Sequence, residues 1–495
     1  MCQARSVLGE SVIGQFRGDL VAADFTLAAV SARLGEVALA ALGRNTTLAA
    51  DRALGHADDP QATMIRLWVL GQPVDRRVAE AALTGLPCLL GAGLVRSDGE
   101  AVAATIEVKP YGWGSSSGWI CCDQTPLDHV QAPPRDDFVL GASPASTTLA
   151  QLTLRRPVGR ALDLGTGCGV QALHLHDHAD EIVATDVNQR ALDLARLTLS
   201  LNGVRADLRR GSLYEPVDPQ TFDLIVTNPP YVMAPPAESH LAYREAPFVA
   251  DGLMRRIVTD APARLRDGGL LQVVGNWAIT ADEPWRERLA GWIEPTGCDA
   301  LVLCREVLDP CEYVELWLAD AGLAGTPSYR DAYRRWLDYF DAYRITGVGM
   351  GWLNLRRTGR AAPVVRIEDW PHAVAQPVGD AIGAFFDAAD RPADDATLLD
   401  ARLVVAPGVV QETFGAPGAA DPEHLVLRQT TGLCRAAQAG TALAAVVGAC
   451  DGELPLGVLI DATASLLDVP TADARTDLLP QLRELIGQAF LVHSV

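Results

Sequence analysis

Two short stretches of this chain combine residue types that can bind a planar nitrogen group and a nucleotide-like ligand. The first is Asn228-Pro229-Pro230-Tyr231, and the second is the glycine loop Asp163-Leu-Gly-Thr-Gly-Cys-Gly169. Each follows an apolar run that is typical of a buried β-strand, at residues 222–227 and 161–164. Ligands of open parallel sheets bind outside the carboxyl ends of the strands, so both stretches are predicted to border one crevice.

The Asn-Pro-Pro-Tyr stretch suits the activation of a planar nitrogen. An amide or aromatic amine is a poor nucleophile because its lone pair is delocalised. The Asn228 side-chain oxygen and the Pro229 carbonyl can accept its two N–H bonds, favour pyramidal nitrogen and direct the lone pair. Tyr231 can stack on the planar group, and Pro229 and Pro230 stiffen the loop. The structural alternative is a plain proline turn after a buried strand.

The glycine loop predicts a close approach of the backbone to a ligand, because glycines allow a tight turn without side chains. Such a loop would also suit a dinucleotide, so its position relative to other residues matters. Asp186 ends the next predicted strand, about 20 residues further on, where a carboxylate can accept both hydroxyls of a ribose. The alternative for Asp186 is the N-cap of the following helix.

With these residues, the chain resembles the class I S-adenosylmethionine (SAM)-dependent methyltransferases over roughly residues 139–318. More narrowly, Asn-Pro-Pro-Tyr resembles the branch that methylates planar nitrogen, which includes the release-factor glutamine N5-methyltransferases and the amino-methyltransferases of adenine and guanine. The resemblance implies SAM as the cofactor and places Asp163 near its amino-acid moiety. It assigns catalysis to Asn228, Pro229, Pro230 and Tyr231. It assigns cofactor binding to Asp163, Gly165, Thr166, Gly167, Gly169, Asp186, Val187, Ser212, Leu213 and Asn228.

The chain departs from this family at two places. Relatives usually carry an acid after a glycine at the end of the third strand, where this chain has Gly211-Ser212-Leu213. Ser212 can still hydrogen-bond adenine, and Leu213 can pack on its face. The segment at residues 138–146 lies over the methionine end of the cofactor in relatives, many of which carry an acidic residue there. This chain lacks that acidic residue, so only Ala145 and Ser146 are carried over from the family. Residues 232–252 are expected to form a substrate lid.

Strands and helices alternate through the middle of the chain. Predicted strands lie at residues 161–164, 182–185, 206–209, 222–227 and 270–274, with helices at 172–176, 191–201 and 253–265. This alternation predicts an α/β fold with a doubly wound, mostly parallel sheet. Residues 300–303 and 313–318 are predicted as an antiparallel edge pair, which makes seven strands.

The remaining segments predict accessory domains, since the chain is long enough for more than one. Residues 1–98 are expected to form an N-terminal helical, winged-helix-like domain with a helix at 19–42. Residues 99–132 form a short β connector with a flexible loop at 111–118. The methyltransferase domain is expected at 133–322, and a C-terminal α+β domain at 323–495. An aromatic stripe on a helix near residues 329–340 is interpreted as core.

Composition restricts the partners and the compartment. The formal net charge of −21 argues against an extended, unspecific grip on nucleic acid. The 10 cysteines show no metal-ligand spacing and indicate free thiols in a reducing compartment. His174, His176 and His178 are interpreted as a solvated helix face, and no metal is expected. Neither a signal sequence nor a membrane-spanning run is found, so a cytoplasmic protein without a membrane partner is predicted.

The favoured function is methyl transfer from SAM to a side-chain amide nitrogen, glutamine, of a protein substrate. The first alternative is methylation of an exocyclic amine of adenine or guanine in RNA or DNA. The second is a binding scaffold with an inactive methyltransferase fold, against which the intact Asp163, Asp186 and Asn228 argue. The sequence leaves the oligomeric state open.

Overall fold

A computed structural model describes residues 9–128, 135–236, 248–391, 394–417 and 423–494. The chain divides into two compact units. The first comprises Met1–Ala150, Arg156–Thr296 and Val307–Leu353, and the second comprises Gln151–Arg155, Gly297–Glu306 and Asn354–Val495.

Helices dominate the beginning of the first unit. They are α1 (Glu10–Ala22), α2 (Leu27–Leu42), α3 (Leu48–Leu54), α4 (Pro60–Met64), α5 (Arg76–Ala82) and α6 (Leu86–Gly91), with a π-helical turn at Ile65–Val69. Among the described residues, β1 (Val74–Asp75), β2 (Val95–Ser97) and β3 (Ala101–Ala104) form a small sheet in the order β1-β3-β2. The single helix predicted at residues 19–42 is wrong. Asp24 has a φ of 47°, and Thr26 caps α2 by accepting a hydrogen bond from the Ala29 N–H at 3.2 Å.

A two-stranded hairpin follows, formed by β4 (Glu107–Trp113) and β5 (Ser116–Cys122). The flexible loop predicted at residues 111–118 is therefore wrong, because Tyr111 pairs with Gly118 inside the hairpin. Side chains from a later helix support β5. The Cys121 N–H donates to Thr198 Oγ1 at 2.9 Å, and Asn202 Nδ2 donates to the Trp119 carbonyl at 2.7 Å. The serines and glycines of this segment do not by themselves indicate these long-range hydrogen-bond partners.

The central sheet confirms the predicted α/β class. Its strands are β6 (Val158–Leu164), β7 (Ala179–Asp186), β8 (Asp207–Arg210), β9 (Phe222–Thr227), β10 (Leu265–Thr280), β11 (Cys298–Leu308), β12 (Ile345–Arg357) and β13 (Val365–Asp369). In the described part of the chain, eight strands follow the order β13-β11-β12-β10-β9-β6-β7-β8. The pairs β8/β7, β7/β6, β6/β9, β9/β10 and β11/β13 are parallel. The strand order reverses where β6 adjoins β9, which is the usual ligand position in such sheets.

Helices connect these strands. They are α7 (Pro144–Leu152), α8 (Val170–Leu175), α9 (Gln189–Asn202), α10 (Gly252–Asp260), α11 (Trp285–Ile293), α12 (Pro310–Asp320) and α13 (Tyr329–Ala342). The strand predicted at residues 313–318 is wrong, because this segment lies in α12. Asp309 and Glu312 form a capping box with Pro310 in the first turn, which fixes the helix start. The helices α12 and α13 are inserted between β11 and β12.

The rest of the second unit mixes helices and strands. Its helices are α14 (Gly379–Ala389), α15 (Asp395–Asp400), α16 (Thr441–Gly448), α17 (Leu456–Leu466) and α18 (Thr471–Gly487). Its strands are β14 (Arg402–Val405), β15 (Val409–Phe414), β16 (His424–Gln429), β17 (Ala436–Ala439), β18 (Asp451–Pro455) and β19 (Leu491–His493). In the described residues they form sheets of order β18-β14-β19 and β15-β16-β17. Leu403, Ile460, Leu482 and Phe490 lie in one buried cluster.

Candidate active site

A cavity of about 520 Å³ opens at the carboxyl ends of β6, β7, β8 and β9. This volume suits a small-molecule site, for which roughly 300–1,000 Å³ is usual. Most of the predicted site residues line it: Gly165, Thr166, Gly167, Asp186, Val187, Ser212, Leu213, Asn228, Pro229 and Pro230. Asp163, Gly169 and Tyr231 do not line it. The two sequence stretches therefore border one crevice.

The glycine loop turns where β6 meets α8, and its glycines differ in what they do. Gly167 has a φ of 55°, and a Cβ at this position would meet nothing within 4 Å, so the loop leaves open space toward the cavity. Gly169 has a φ of 86°, and a Cβ there would lie 3.3 Å from Ala195 in α9. The third glycine thus permits close packing of α8 on α9 and does not face the ligand space.

Two carboxylates, the buried Asp163 and the partly buried Asp186, support the glycine loop. Asp163 lies behind the cavity wall and accepts a hydrogen bond from Thr166 Oγ1 at 2.6 Å. Burial, reinforced by the nearby charge of Asp186, raises the pKa of Asp163 to about 7 despite the Thr166 bond. Burial also raises the pKa of Asp186. Negative charge at this wall is therefore unfavourable unless a cationic ligand compensates it.

Asp186 joins the end of β7 to the glycine loop. Its Oδ2 accepts the Gly167 N–H at 2.9 Å, and its Oδ1 accepts the Asn188 N–H at 2.8 Å. Each carboxylate oxygen has a second lone pair, so acceptor capacity remains for a ligand hydroxyl. The alternative role as a helix N-cap is wrong, since Asn188 caps α9 by accepting from the Arg190 N–H at 2.9 Å.

Asn228 is the first residue after β9 and faces the cavity. Its Oδ1 is buried and has no hydrogen-bond partner among the described residues. Its Nδ2 lies 3.5 Å from Ser146 Oγ at the start of α7. A buried amide oxygen without a partner costs about 1–3 kcal/mol. The Asn228 Oδ1 atom can therefore accept a hydrogen bond from a donor that reaches it, such as an N–H of a ligand.

The other predicted residues divide between the cavity and the packing around it. Tyr231 turns away, and its ring centroid lies 6.4 Å from that of Trp317 in an edge-on contact. Ser212 and Leu213 line the cavity. The Leu213 backbone has a φ of 47°, which turns the chain along the cavity wall. Of the pair carried over from α7, Ser146 lines the cavity and Ala145 does not. For the expected lid, residues 237–247 lie outside the described part, while Phe248 lines the cavity.

Sequence analysis missed how one cavity wall is held. This wall includes residues 138–141, which we term the strap. Asp123 holds the strap through two backbone bonds: the Val139 N–H donates to its Oδ2 at 2.9 Å, and its own N–H donates to the Val139 carbonyl at 3.0 Å. Arg190 Nε in α9 donates to the same carboxylate at 2.8 Å. Asp123 and Arg190 are 67 residues apart, so no local pattern links them.

The position of His174 contradicts the prediction that His174, His176 and His178 form a solvated helix face. His174 is buried, and its Nε2 lies 2.9 Å from Tyr111 Oη, so it is not part of a solvated helix face.

Within the described ranges, no group of three or more His, Cys, Asp or Glu is arranged to hold a metal ion. In the same ranges, no single helix is long and apolar enough to span a membrane; α1 and α2 meet that criterion only as a pair bent by 51°.

Comparison with known proteins agrees with the architecture of this site. Residues 142–290 match the family model described as the methyltransferase small domain, and residues 22–105 match a domain of unknown function. A ribosomal protein uL3 glutamine methyltransferase from Bradyrhizobium diazoefficiens is 37% identical over 153 residues, covering 28% of this chain and 47% of the relative. A release factor glutamine methyltransferase from Xylella fastidiosa is 36% identical over 131 residues, covering 24% and 47%.

The chain spans about half the length of these curated relatives. Among solved structures, the Thermus thermophilus 16S rRNA N2 G1207 methyltransferase, in complex with AdoMet and guanosine, is 19% identical with a TM-score of 0.28. That alignment covers 47% of this chain and 60% of the other. The predicted resemblance is confirmed: residues 142–290, which hold the glycine loop, Asp186 and Asn228, match the family model of the methyltransferase small domain.

Proposed function

We propose that the chain transfers a methyl group from SAM to the side-chain amide nitrogen of glutamine in a protein. The observation that carries this proposal concerns Asn228, a residue that lines the cavity and whose buried Oδ1 has no partner among the described residues. An amide N–H of the acceptor would satisfy it. The two curated relatives named above, both glutamine methyltransferases, support the same acceptor chemistry.

The residues present fit SAM. Asp186 offers acceptor capacity for the ribose hydroxyls, and Ser212 and Leu213 line the part of the cavity expected to hold adenine. The open space beside Gly167 accommodates a ligand close to the backbone. When bound, SAM supplies an electrophilic methyl group on a positively charged sulfur. The carboxylates of Asp163, which is buried, and Asp186, which is partly buried, provide compensating negative charge.

At the acceptor, the chain's residues act by orientation. Asn228 Oδ1 and the Pro229 carbonyl accept the two amide N–H bonds and direct the nitrogen lone pair toward the methyl group. Among the described lining residues, the titratable groups are Asp186 and Cys168. Burial raises the pKa of the Cys168 thiol to about 12, so this thiol stays protonated. Among the described lining residues, preorganised hydrogen-bond acceptors rather than a general base act on the amide, and the proton that the nitrogen loses as it gains the methyl group passes to solvent.

The charge of the site favours a neutral acceptor. Asp186 is the charged residue among the described residues that line the cavity, and no Lys or Arg is found with it. A nucleic-acid acceptor would be expected to need cations for its phosphates. The net charge of −21 points the same way. A glutamine amide requires no such cations.

The test uses labelled SAM and a lysate of cells that lack this protein, afterwards separated into protein and nucleic-acid fractions. Label is expected in the protein fraction, and acid hydrolysis should release it as methylamine, because N-methylated glutamine hydrolyses to glutamate and methylamine. Methylated arginine or lysine would keep its label. Label in RNA or DNA alone would contradict the proposal.

Variants of Asn228 connect this activity to the site. Asn228→Ala should lower turnover on the order of 100- to 1,000-fold by removing one preorganised acceptor. SAM affinity, measured by calorimetry, should stay near the wild-type value. Asn228→Asp keeps an oxygen acceptor and should retain more activity than Asn228→Ala. Near wild-type turnover of a folded Asn228→Ala protein would contradict this role and indicate that the loop is a structural proline turn.

A further inference from the structure

The inserted helices α12 and α13 pack against the chain that follows the Asn-Pro-Pro-Tyr stretch. Tyr313, Trp336 and Phe340 are buried in one cluster with Val232 and Met233. The aromatic stripe of α13 is therefore core at Trp336 and Phe340, as predicted. This cluster places two tyrosine hydroxyls beside the backbone of residues that follow Asn228.

The first hydroxyl belongs to Tyr313 in α12. Tyr313 Oη accepts the Met233 N–H at 3.0 Å and Asn276 Nδ2 at 2.9 Å. All three residues are buried. Because Met233 lies two residues after Tyr231, this bond fixes the direction in which the chain leaves the stretch that holds Asn228.

The second hydroxyl belongs to Tyr339 in α13. Tyr339 Oη accepts the Ala250 N–H at 2.8 Å. The next residue, Asp251, is buried; it accepts the Ala278 N–H at 2.7 Å and Arg288 Nη2 at 2.7 Å. These bonds hold the backbone directly after Phe248, which lines the cavity. Tyr339 thus acts on the cavity wall through Ala250.

We infer that Tyr313 and Tyr339 are positioning residues for the acceptor, which act through the backbone of Met233 and Ala250. This inference rests on the proposed function. The two hydroxyls fix Met233 and Ala250, and neighbours of these residues, Pro230 and Phe248, form cavity wall. Neither hydroxyl contacts the glycine loop or Asp186 in the described structure, so the cofactor side is independent of them.

The test compares Tyr339→Phe and Tyr313→Phe with Tyr343→Phe as the matched control. Tyr343 lies at the end of α13 with its ring 5.0 Å from that of Tyr339, and it is 44% exposed. The substrate is the protein fraction of the lysate that takes up label from SAM, used before methylation. With it, kcat/KM should fall about tenfold in Tyr339→Phe, since the partly buried Ala250 N–H loses its hydrogen-bond acceptor. The change should be mainly in KM. SAM affinity should stay within about twofold, and Tyr343→Phe should behave as wild type.

Hydrogen exchange provides a second measurement that does not need an acceptor. The Ala250 amide should exchange faster in Tyr339→Phe and the Met233 amide faster in Tyr313→Phe, with each effect confined to its own site. Wild-type kcat/KM in both variants would overturn the inference, as would a parallel loss of SAM affinity, which would indicate only general support of the fold. Absence of transfer by the wild-type chain would refute the proposed function, and this inference with it.

Discussion

The buried carboxylate of Asp163 makes the ligand-free site sensitive to pH. Asp163 is 1% exposed, and its pKa of about 7 reflects mainly the loss of solvation. The native state therefore binds a proton at Asp163 that the unfolded chain releases near its ordinary pKa of 3.8. A cationic ligand reverses this preference because it stabilises the carboxylate.

SAM affinity should accordingly rise with pH. At about pH 6 only about a tenth of Asp163 is ionised, so binding is expected to be about tenfold weaker than at about pH 8. Calorimetric titration across this range in wild type, Asp163→Asn and Asp193→Asn tests the prediction. Asp193 is on the exposed face of α9, and its variant should keep the wild-type slope. A slope that persists in Asp163→Asn would assign the titration to another group.

The ligand-free protein should show the opposite trend in stability. Because Asp163 is protonated more readily in the folded state, its contribution to the free energy of unfolding is lost as pH rises from about 4 to about 7. Asp163→Asn keeps an acceptor for Thr166 and removes the buried charge. At about pH 8 it should raise the free energy of unfolding, by up to roughly 4 kcal/mol. Urea denaturation at about pH 4 and pH 8 checks this, since the gain should vanish at the lower pH.

The residues of the site differ in how far sequence predicts them. Asp186 and Asn228 were predictable because each directly follows a recognisable apolar strand, and parallel strands bring their carboxyl ends together. Tyr231 was expected at the acceptor, yet its ring faces Trp317, on a helix predicted as strand. Asp123 and Arg190 carried no sequence signal, because their pairing depends on tertiary structure.

At the scale of elements, the errors come from local patterns that tertiary contacts override. Residues 313–318, Tyr-Val-Glu-Leu-Trp-Leu, contain the β-branched and aromatic residues typical of a strand. The helix signal precedes them, in the Asp309-Pro-Cys-Glu312 capping box. In the predicted β connector, the loop at residues 111–118 was wrong for a related reason: its glycines and serines indicate a loop, while side chains of α9 stabilise β5.

The strap depends on the buried ion pair between Asp123 and Arg190, whose side chains are 8% and 9% exposed. Arg190→Met would leave the Asp123 charge buried and unpaired, and breaking such a pair typically costs about 3–5 kcal/mol. Urea denaturation should show this loss, and calorimetry should show weaker SAM binding because Val139 lines the cavity. Arg196→Met, on the same helix and 39% exposed, is the control. Equal stability of the two variants would contradict a supporting role for the pair.

At the scale of the whole molecule, the chain is strongly acidic. A net charge of −21 repels phosphate backbones, and the described cavity lining adds no cation to offset it. The predicted fold class is confirmed for the central sheet, because alternating strand and helix signals specify a parallel sheet without knowledge of side-chain contacts. That β12 and β13 belong to this sheet, and that α12 and α13 are inserted before them, could be learned only from the structure.

Random duplex DNA should therefore bind the full chain poorly at physiological salt. The measurement is fluorescence anisotropy of a labelled duplex over a range of salt concentrations. Weak binding is expected because few counterions would be released. A tight complex with a steep dependence on salt would contradict this and favour an exocyclic amine of a nucleic acid as the acceptor.

The position of α12 and α13 in the chain has a consequence for the sheet. The two strands that flank the insertion are neighbours in the sheet, and the Leu308 carbonyl lies 3.3 Å from the place of a Cβ on Gly347. The ends of the insertion therefore nearly meet, and a connection of a few residues would close the gap. The length of the connection between the two strands therefore does not set the strand order. The sheet that carries the glycine loop, Asp186 and Asn228 is compatible with a longer or a shorter segment at this position.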